Sequence, residues 1–192
     1  GSAISEGDYL IKSALSNDAV LDVSAASMDD GANVQLYEYN GTAAQKWHVS
    51  VDSNGYAAIV NIGSGKVLDV ANGGAYSGSN VWQYGSNDTA AQKWQVLSNG
   101  DGTFKLVSAL DDSLVLDAAG ASCFNGTNIQ LWSDNGTVAQ SFEFIPLQPE
   151  FDSSKSADLE DGYYEIRSGV DTAYALDIQD WSMDDGAPLQ VW

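Results

Sequence analysis

A repeated set of five landmark residues constrains this chain of 192 residues more than any other feature. Counted from Tyr9, an aspartate lies 13 positions on, a glutamine 26, an aromatic residue 28, a second glutamine 36 and a tryptophan 38 positions on. The same offsets recur from Tyr56 and from Phe104, with two substitutions. The three sets are Asp22, Gln35, Tyr37, Gln45 and Trp47; Asp69, Trp82, Tyr84, Gln92 and Trp94; and Asp117, Gln130, Trp132, Gln140 and Phe142.

The length of this repeat sets the fold before any local feature does. Turn sequences such as Ser53-Asn54-Gly55 and Ser98-Asn99-Gly100 separate short runs of β-branched and aromatic residues. This pattern predicts about four short strands per copy, and no 3.6-residue periodicity supports helical repeats. A propeller blade has a similar size, but propellers typically close with about 4 to 8 blades. Three complete copies therefore predict an all-β fold, a β-trefoil with pseudo-threefold symmetry.

The order Leu-Asp, then Gln-Leu-aromatic, then Gln-x-Trp resembles the repeat of ricin-type (R-type) lectin domains. It is also similar to the repeat of family 13 carbohydrate-binding modules of bacterial glycoside hydrolases. The resemblance covers residues 7–148 completely, as repeats 7–53, 54–100 and 101–148. It implies a non-catalytic module of a larger secreted or cell-surface bacterial protein, with ligands such as galactosides or xylan-type glycans.

The two ends of the chain differ from the three complete repeats. Residues 1–6 begin with Gly-Ser and no methionine, which is typical of a leader left by cloning. Residues 149–161 are rich in Pro, Ser and Asp and predict a linker. Residues 162–192 predict a partial repeat of a second trefoil, without the Gln-x-Trp end. Its landmarks are Tyr164, Asp177, Gln190 and Trp192. About 30 residues cannot build a core alone, so we expect this segment to pack against the first trefoil or a neighbouring molecule.

The charge balance limits the partners of the chain. Its 27 acidic and 7 basic residues give a net charge of −20, which opposes nucleic acids and anionic membranes because both need a basic surface. No stretch approaches the roughly 18 consecutive apolar residues of a membrane span. Cys123 is the single cysteine, which excludes an intrachain disulfide and departs from plant R-type lectins. We expect Cys123 to be a small apolar filler.

Strand alternation assigns core and surface positions within each copy. A leucine directly precedes each aspartate landmark, so the aspartate should face out where the leucine faces the core. We expect the ring that closes each copy to lie in the core, and the glutamine two residues before it to brace backbone groups. These residues are Leu21, Leu68 and Leu116; Trp47, Trp94 and Phe142; and Gln45, Gln92 and Gln140.

A sugar pocket needs paired hydrogen-bond acceptors and a flat apolar wall, because a sugar presents neighbouring hydroxyls and a face of C–H groups. A carboxylate supplies the acceptors, and hydrogen bonds to a charged group contribute roughly 1.5 to 3 kcal/mol. The resemblance implies sugar contacts from the aspartate, both glutamines, the aromatic residue and an asparagine at offset 31. The candidates are Asp22, Gln35, Tyr37, Asn40 and Gln45; Asp69, Trp82, Tyr84, Asn87 and Gln92; and Asp117, Gln130, Trp132, Asn135 and Gln140.

Two departures from the family pattern leave alternatives open. Trp82 replaces the glutamine of the other copies, which either adds a second ring or removes a polar contact. Alanines stand where the family commonly has asparagine before the last glutamine, which removes one expected sugar contact per site. They are Ala44, Ala91 and Ala139. One alternative is that the aspartates cap a turn after the strand. Another is a spacer or protein-interaction module with inactive pockets.

Other chemistry has little support in the sequence. The lone His48 and lone Cys123 make no catalytic triad and no carboxylate pair stands out by spacing, so we do not expect an enzyme. No cofactor or metal is expected either. The sequences Asp29-Asp30-Gly31 and Asp184-Asp185-Gly186 lack the spacing of a calcium loop and predict turns. Turns are also predicted at the Asn-x-Thr sequences of Asn40, Asn87, Asn125 and Asn135.

Overall fold

The computed structural model describes residues 4–147, 176–178 and 189–191. Residues 1–147 form one unit and residues 148–192 another. The strands of the first unit are β1 Gly7–Ser13, β2 Ala19–Val23, β3 Val34–Glu38, β4 Trp47–Val51, β5 Ala57–Asn61, β6 Val67–Val70, β7 Val81–Tyr84, β8 Trp94–Ser98, β9 Phe104–Ser108, β10 Leu114–Ala118, β11 Thr127–Ser133 and β12 Phe142–Pro146. Each predicted copy holds four strands, which confirms the prediction of four per repeat.

Six strands, two from each copy, close into a barrel. Antiparallel pairing runs from β1 to β4, β5, β8, β9 and β12, and returns from β12 to β1. The other six strands form three hairpins, β2–β3, β6–β7 and β10–β11. A six-stranded barrel with one hairpin per copy is the predicted β-trefoil.

Short 3₁₀ turns join these elements, two in each copy, and no α-helix occurs among the residues that the structure describes. The turns are Ser24–Ala26, Ala43–Gln45, Ala71–Gly73, Ala90–Gln92, Ala119–Ala121 and Val138–Gln140. None of the described helical segments is long and apolar enough to cross a membrane.

The rings that close the three copies lie in one shared core, as predicted. Trp47, Trp94 and Phe142 are fully buried in the same apolar cluster. The indole N–H groups of the two tryptophans donate to the carbonyls of Leu21 and Leu68, at 3.0 and 3.1 Å. A buried polar group without a partner is costly, so these bonds let two indoles occupy the core. Cys123 also packs against this cluster, partly buried.

A closed ring of three asparagine side chains joins the copies at their pseudo-threefold axis. Asn33 donates to Asn128, Asn128 to Asn80 and Asn80 to Asn33, at 2.8 to 2.9 Å between Nδ2 and Oδ1. Each asparagine also pairs through its backbone with the offset-26 residue of the next copy, which is Trp82, Gln130 or Gln35. The ring therefore fixes the position of one hairpin against the next.

Replacing Asn128 by alanine should lower the free energy of unfolding by about 1 to 3 kcal/mol, because it leaves a half-buried donor and a half-buried acceptor unpaired. Urea unfolding of the variant measures this change. Asn54→Ala serves as the control, since Asn54 is exposed in a turn and such substitutions usually stay within about 0.5 kcal/mol. Equal stability of the two variants would show that the ring does not hold the hairpins together.

Part of the predicted fourth copy is also described. Strands β13, Leu176–Ile178, and β14, Leu189–Val191, pair antiparallel with Asp177 opposite Gln190. The aspartate and the offset-26 residue face each other in the same way in each of the three complete copies. The predicted linker, the Asp184-Asp185-Gly186 turn and the packing of residues 162–192 lie outside the described residues.

Candidate functional site

Each hairpin places its aspartate beside the residue at offset 26, on neighbouring strands. In the first copy Asp22 lies opposite Gln35, whose Nε2 donates to Asp22 Oδ1 at 3.0 Å. In the third copy Gln130 donates to Asp117 in the same way at 2.9 Å. Cross-strand neighbours stand about 5 Å apart, so the antiparallel register alone brings together residues 13 positions apart.

The second hairpin keeps this bond with a different donor. Asp69 lies opposite Trp82, and the indole Nε1 donates to Asp69 Oδ1 at 2.6 Å. The two rings of this copy also stack, with 5.7 Å between the centroids of Trp82 and Tyr84 and an interplanar angle of 27°. The substitution therefore adds a ring to the pocket and keeps the bond to the aspartate.

The structure contradicts one prediction about the aspartates and one of the alternatives. They do not face out, since Asp22, Asp69 and Asp117 are only 5, 4 and 6 % exposed. The reason is that the short hairpin folds its aromatic residue, its offset-26 residue and the following turn around the carboxylate. The aspartates also do not cap the turn after the strand. Among the described residues, the hydrogen bonds that these carboxylates accept come from the side chain opposite, and in the third copy also from Gln140, but not from the N–H groups of the following turn.

The surroundings of the carboxylates change their acidity. Burial raises the pKa of the Asp22 carboxyl above its ordinary value, although the neighbouring amides of Gln35 and Gln45 act in the opposite direction. Burial raises the pKa of the Asp69 carboxyl likewise, opposed by Trp82 and Gln92. A desolvated carboxylate gains free energy from any ligand hydroxyl that donates to it. Burial therefore leaves both carboxylates less well solvated than exposed ones.

An aromatic ring stands beside each carboxylate and remains open to solvent. Tyr37, Tyr84 and Trp132 occupy offset 28, two residues beyond the donor and on the same strand face. Tyr84 is 38 % exposed and Trp132 is 42 % exposed, while Tyr37 is half-buried. A ring with one free face offers a flat apolar wall on which the C–H face of a sugar can stack.

The last glutamines act as braces of the loop that borders each pocket, as predicted. Gln45 Nε2 donates to the carbonyl of Glu38 at 2.9 Å, and its Oε1 accepts from the backbone N–H of Asn40 at 2.8 Å. The equivalent bonds of Gln92 and Gln140 measure 2.9 to 3.0 Å. All three glutamines are nearly fully buried. Both ends of each amide are thus engaged by backbone groups.

The asparagines at offset 31 are exposed on the loops that these glutamines hold. Asn40 Oδ1 accepts from the N–H of Thr42 at 3.0 Å and from its hydroxyl at 2.7 Å. Asn87 and Asn135 form the equivalent turns with Thr89 and Thr137. These bonds confirm the turns predicted from three of the Asn-x-Thr sequences. The Nδ2 groups of the asparagines donate in none of these bonds, which leaves them available to a ligand.

A left-handed turn after each aspartate forms a wall of the pocket that the sequence did not predict. In the first copy Ala25 and Ala26 have φ of 56° and 49°, a conformation that costs an L-residue about 1 to 2 kcal/mol. Asn72 and Gly73 occupy the same places in the second copy. Strain of this kind is typical of functional sites. The Asn-Gly pair was a readable signal for such a turn, whereas Ala-Ala was not.

These residues enclose equivalent clefts in the first and second copies. The first cleft has a volume of about 300 Å³ and joins the predicted Asp22, Gln35, Tyr37 and Asn40 to the turn alanines and Ala44. The second has about 420 Å³ and joins Asp69, Trp82, Tyr84 and Asn87 to Asn72, Gly73, Ala91 and Leu110. Leu110 was not predicted, because it comes from the third copy and no spacing within one repeat reveals it.

The third copy differs at its carboxylate. Gln130 donates to Asp117 Oδ1, and Gln140 donates to Asp117 Oδ2 at 3.1 Å. Gln45 and Gln92 approach Asp22 and Asp69 closely enough to lower the pKa of these carboxyls, but in the described residues only Gln35 and Trp82 make hydrogen bonds of full geometry to them. Both oxygens of Asp117 are thus already engaged, which leaves less acceptor capacity for a ligand.

A β-trefoil whose hairpins repeat a carboxylate, an amide or indole donor and an open ring is a lectin-type domain. The family described as ricin-type beta-trefoil lectin domain-like matches residues 2–84, 43–132 and 90–192. The chain belongs to this family, which confirms the resemblance seen in its repeats. No curated protein matches the chain.

Solved structures share the same fold. The designed threefold-symmetric protein ThreeFoil is 37 % identical at a TM-score of 0.70, over 73 % of this chain and 99 % of that one. The exo-beta-1,3-galactanase 1,3Gal43A from Clostridium thermocellum is 31 % identical at a TM-score of 0.70, over 77 % of this chain but only 31 % of the enzyme. The Macrolepiota procera ricin B-like lectin in complex with lactose is 18 % identical at a TM-score of 0.65, over 76 % of this chain and 100 % of that one.

Proposed function

We propose that this domain is a non-catalytic carbohydrate-binding module that holds sugars such as galactosides or xylan-type glycans in up to three shallow pockets. The observation that carries the proposal is the open cleft of the first hairpin. There the desolvated carboxylate of Asp22 lies on the same hairpin face as the ring of Tyr37, with Asn40 at the border. The carboxylate accepts from a pair of sugar hydroxyls while the ring stacks on the sugar's C–H face.

The relatives support this ligand class. The clostridial relative is named as a galactanase, and the fungal lectin is described with lactose, a galactoside. This chain corresponds to less than a third of the galactanase, and we propose a binding role rather than a catalytic one for this domain. Secretion or exposure at a bacterial cell surface fits this role, because polymeric glycans are found there.

Repetition of the pocket compensates for weak single sites. A shallow one-sugar site with a millimolar Kd contributes only about −4 kcal/mol. Several such sites on one rigid body, presented to a glycan that repeats the same unit, raise the overall avidity through effective concentration. We therefore infer multivalent binding, with residues 162–192 adding intermolecular packing or a further copy of the hairpin.

A glycan-array screen, followed by affinity gels containing galactan, xylan or mucin-type glycans, tests the proposal. Wild type is compared with Asp22→Ala and Asp117→Ala, and thermal melting confirms that both variants fold. Asp8→Ala is the control, because Asp8 is exposed on β1 and lines neither cleft. Stepwise loss in the pocket variants alone supports a multivalent lectin. A folded wild type that binds none of these glycans contradicts it.

Two observations favour the spacer alternative. Both oxygens of Asp117 are engaged by glutamines within the third copy, and alanine replaces the expected asparagine in all three copies. If the pockets are inactive, wild type, Asp22→Ala and the control Asp8→Ala should all bind glycans equally weakly. The open clefts of the first two copies favour the lectin.

A further inference from the structure

We infer that the pocket of the second hairpin is specialised for sugars that carry an apolar substituent beside their hydroxyl pair, an acetamido group being the common natural form. This inference rests on the proposed function and deepens it, because it assigns different ligands to pockets that share one ancestor repeat. Its starting point is Trp82, which stands where the first and third copies have glutamine.

Trp82 performs the structural task of the glutamine but removes its spare polar groups. The indole Nε1 donates to Asp69 Oδ1 at 2.6 Å, as Gln35 Nε2 donates to Asp22 Oδ1 at 3.0 Å. A glutamine amide still has a second N–H and a carbonyl oxygen to offer a ligand. An indole has one donor only, and in this pocket that donor is used. The side of the cleft occupied by Trp82 therefore presents carbon alone.

The apolar character extends beyond this ring. Trp82 stacks on Tyr84 with 5.7 Å between ring centroids, and Leu110 from the third copy joins them at the edge of the cleft. The cleft is also the larger one, at about 420 Å³ against about 300 Å³ in the first copy. Trp82, Tyr84 and Leu110 give this larger cleft an apolar lining, so it suits a methyl-bearing substituent better than a further hydroxyl.

Polar groups line the same cleft beside these rings. Asp69 keeps its carboxylate at 4 % exposure, and Asn72 and Asn87 border the opening. A hydroxyl buried against Trp82 would lose its water without gaining a partner, which is unfavourable. A ligand with hydroxyls for Asp69 and an acetamido methyl for the rings suits both the polar and the apolar groups of the cleft. The first pocket retains Gln35 and has no reason to prefer such a group.

The test uses matched sugars and reads each pocket separately. The full chain, labelled with ¹⁵N, is titrated with galactose and N-acetylgalactosamine, and with glucose and N-acetylglucosamine. The indole N–H of Trp82 reports the second pocket, and the backbone N–H of Asn40 reports the first. Trp47 and Trp94, whose indoles are bound to backbone carbonyls in the core, serve as internal references. The matched variant is Trp82→Gln, which restores the residue of the other two copies and so preserves a donor to Asp69.

In the second pocket, the acetamido sugar of at least one pair should bind about fourfold or more tightly than its parent, as expected for one buried methyl group. The first pocket should show no such difference, and Trp82→Gln should abolish the preference as read from the backbone N–H of Asn87. Equal affinities in the second pocket while the first pocket binds sugar would overturn this inference and leave the proposed function intact. The absence of sugar binding in every pocket would overturn both.

Discussion

Replacement of Trp47 by alanine is expected to lower the free energy of unfolding by about 3 to 5 kcal/mol. Trp47 has no exposed surface, lies in the core shared by the three copies and donates its indole N–H to the carbonyl of Leu21. Alanine leaves a cavity and an unpaired carbonyl directly next to Asp22. Domains have only about 5 to 15 kcal/mol of stability, so this change removes a large fraction of it.

Trp47→Phe is the matched control, because the third copy already carries Phe142 at this position, fully buried. It should cost about 1 to 3 kcal/mol, chiefly for the lost bond to the carbonyl of Leu21. Urea unfolding, followed by circular dichroism at constant pH, measures both variants. If alanine and phenylalanine are equally mild, the three closing rings do not form the common core of the trefoil.

Asp22→Asn is expected to weaken sugar binding in the first pocket by about fivefold or more, for two hydroxyl bonds to the carboxylate, without lowering stability. Asparagine keeps an oxygen that can accept from Gln35 Nε2, so the hairpin retains its cross-strand bond. It loses the charge, and hydrogen bonds to a charged group contribute roughly 1.5 to 3 kcal/mol against about 1 for a neutral one. An NMR titration that follows the backbone N–H of Asn40 measures the loss. Unchanged affinity in the first pocket would mean that the carboxylate does not hold the ligand.

The pH dependence of the same variant gives an independent result. The pKa of Asp22 is raised in the folded protein, so the folded state binds this proton more tightly than the unfolded state. Its contribution to stability is therefore present below the unfolded pKa and lost as the pH rises through the folded pKa. Asp22→Asn removes that loss, and it should be as stable as wild type, or more stable, at neutral pH.

The pH dependence of stability must be compared between wild type and Asp22→Asn, because other carboxyl groups have lowered pKa values and change the stability with pH in the opposite direction. Lys66 holds the pKa of Asp30 low, and Lys93 does the same for Asp88. Urea unfolding from about pH 4 to about pH 7, across the upper side of the ordinary carboxyl range, isolates Asp22 as the difference between the two curves. Wild-type sugar binding should also weaken as acid protonates Asp22. If Asp22→Asn is less stable than wild type at neutral pH, the carboxylate is not desolvated as described.

The sequence predicted the repeat, the strands and the core because these depend on alternation and spacing within one copy. In each copy the closing ring comes two residues after the last glutamine, as Trp47 comes after Gln45. This fixed spacing predicted that the ring lies in the core and that the glutamine braces backbone groups. The pairing of Asp22 with Gln35 was harder to predict. Both were expected to contact a sugar. The antiparallel register shows in addition that they lie opposite each other and are joined by a hydrogen bond.

The features that the sequence did not predict depend on contacts between copies. Asn33 recurs at offset 24 as Asn80 and Asn128, so the asparagine ring left a readable signal, but its closure requires the threefold arrangement. Leu110 reaches the second cleft from the third copy. The left-handed Ala25 and Ala26 are set by the tight turn between strand and pocket, against the preference of alanine itself.

A crystal structure of the chain grown with galactose, lactose or xylobiose tests the central claim most directly. The account predicts sugar in the first cleft, with two hydroxyls on the Asp22 carboxylate, its C–H face on Tyr37 and Asn40 Nδ2 within hydrogen-bond distance. Sugar bound only outside the hairpin clefts, or clefts that stay empty at saturating concentrations of all three sugars, would contradict it.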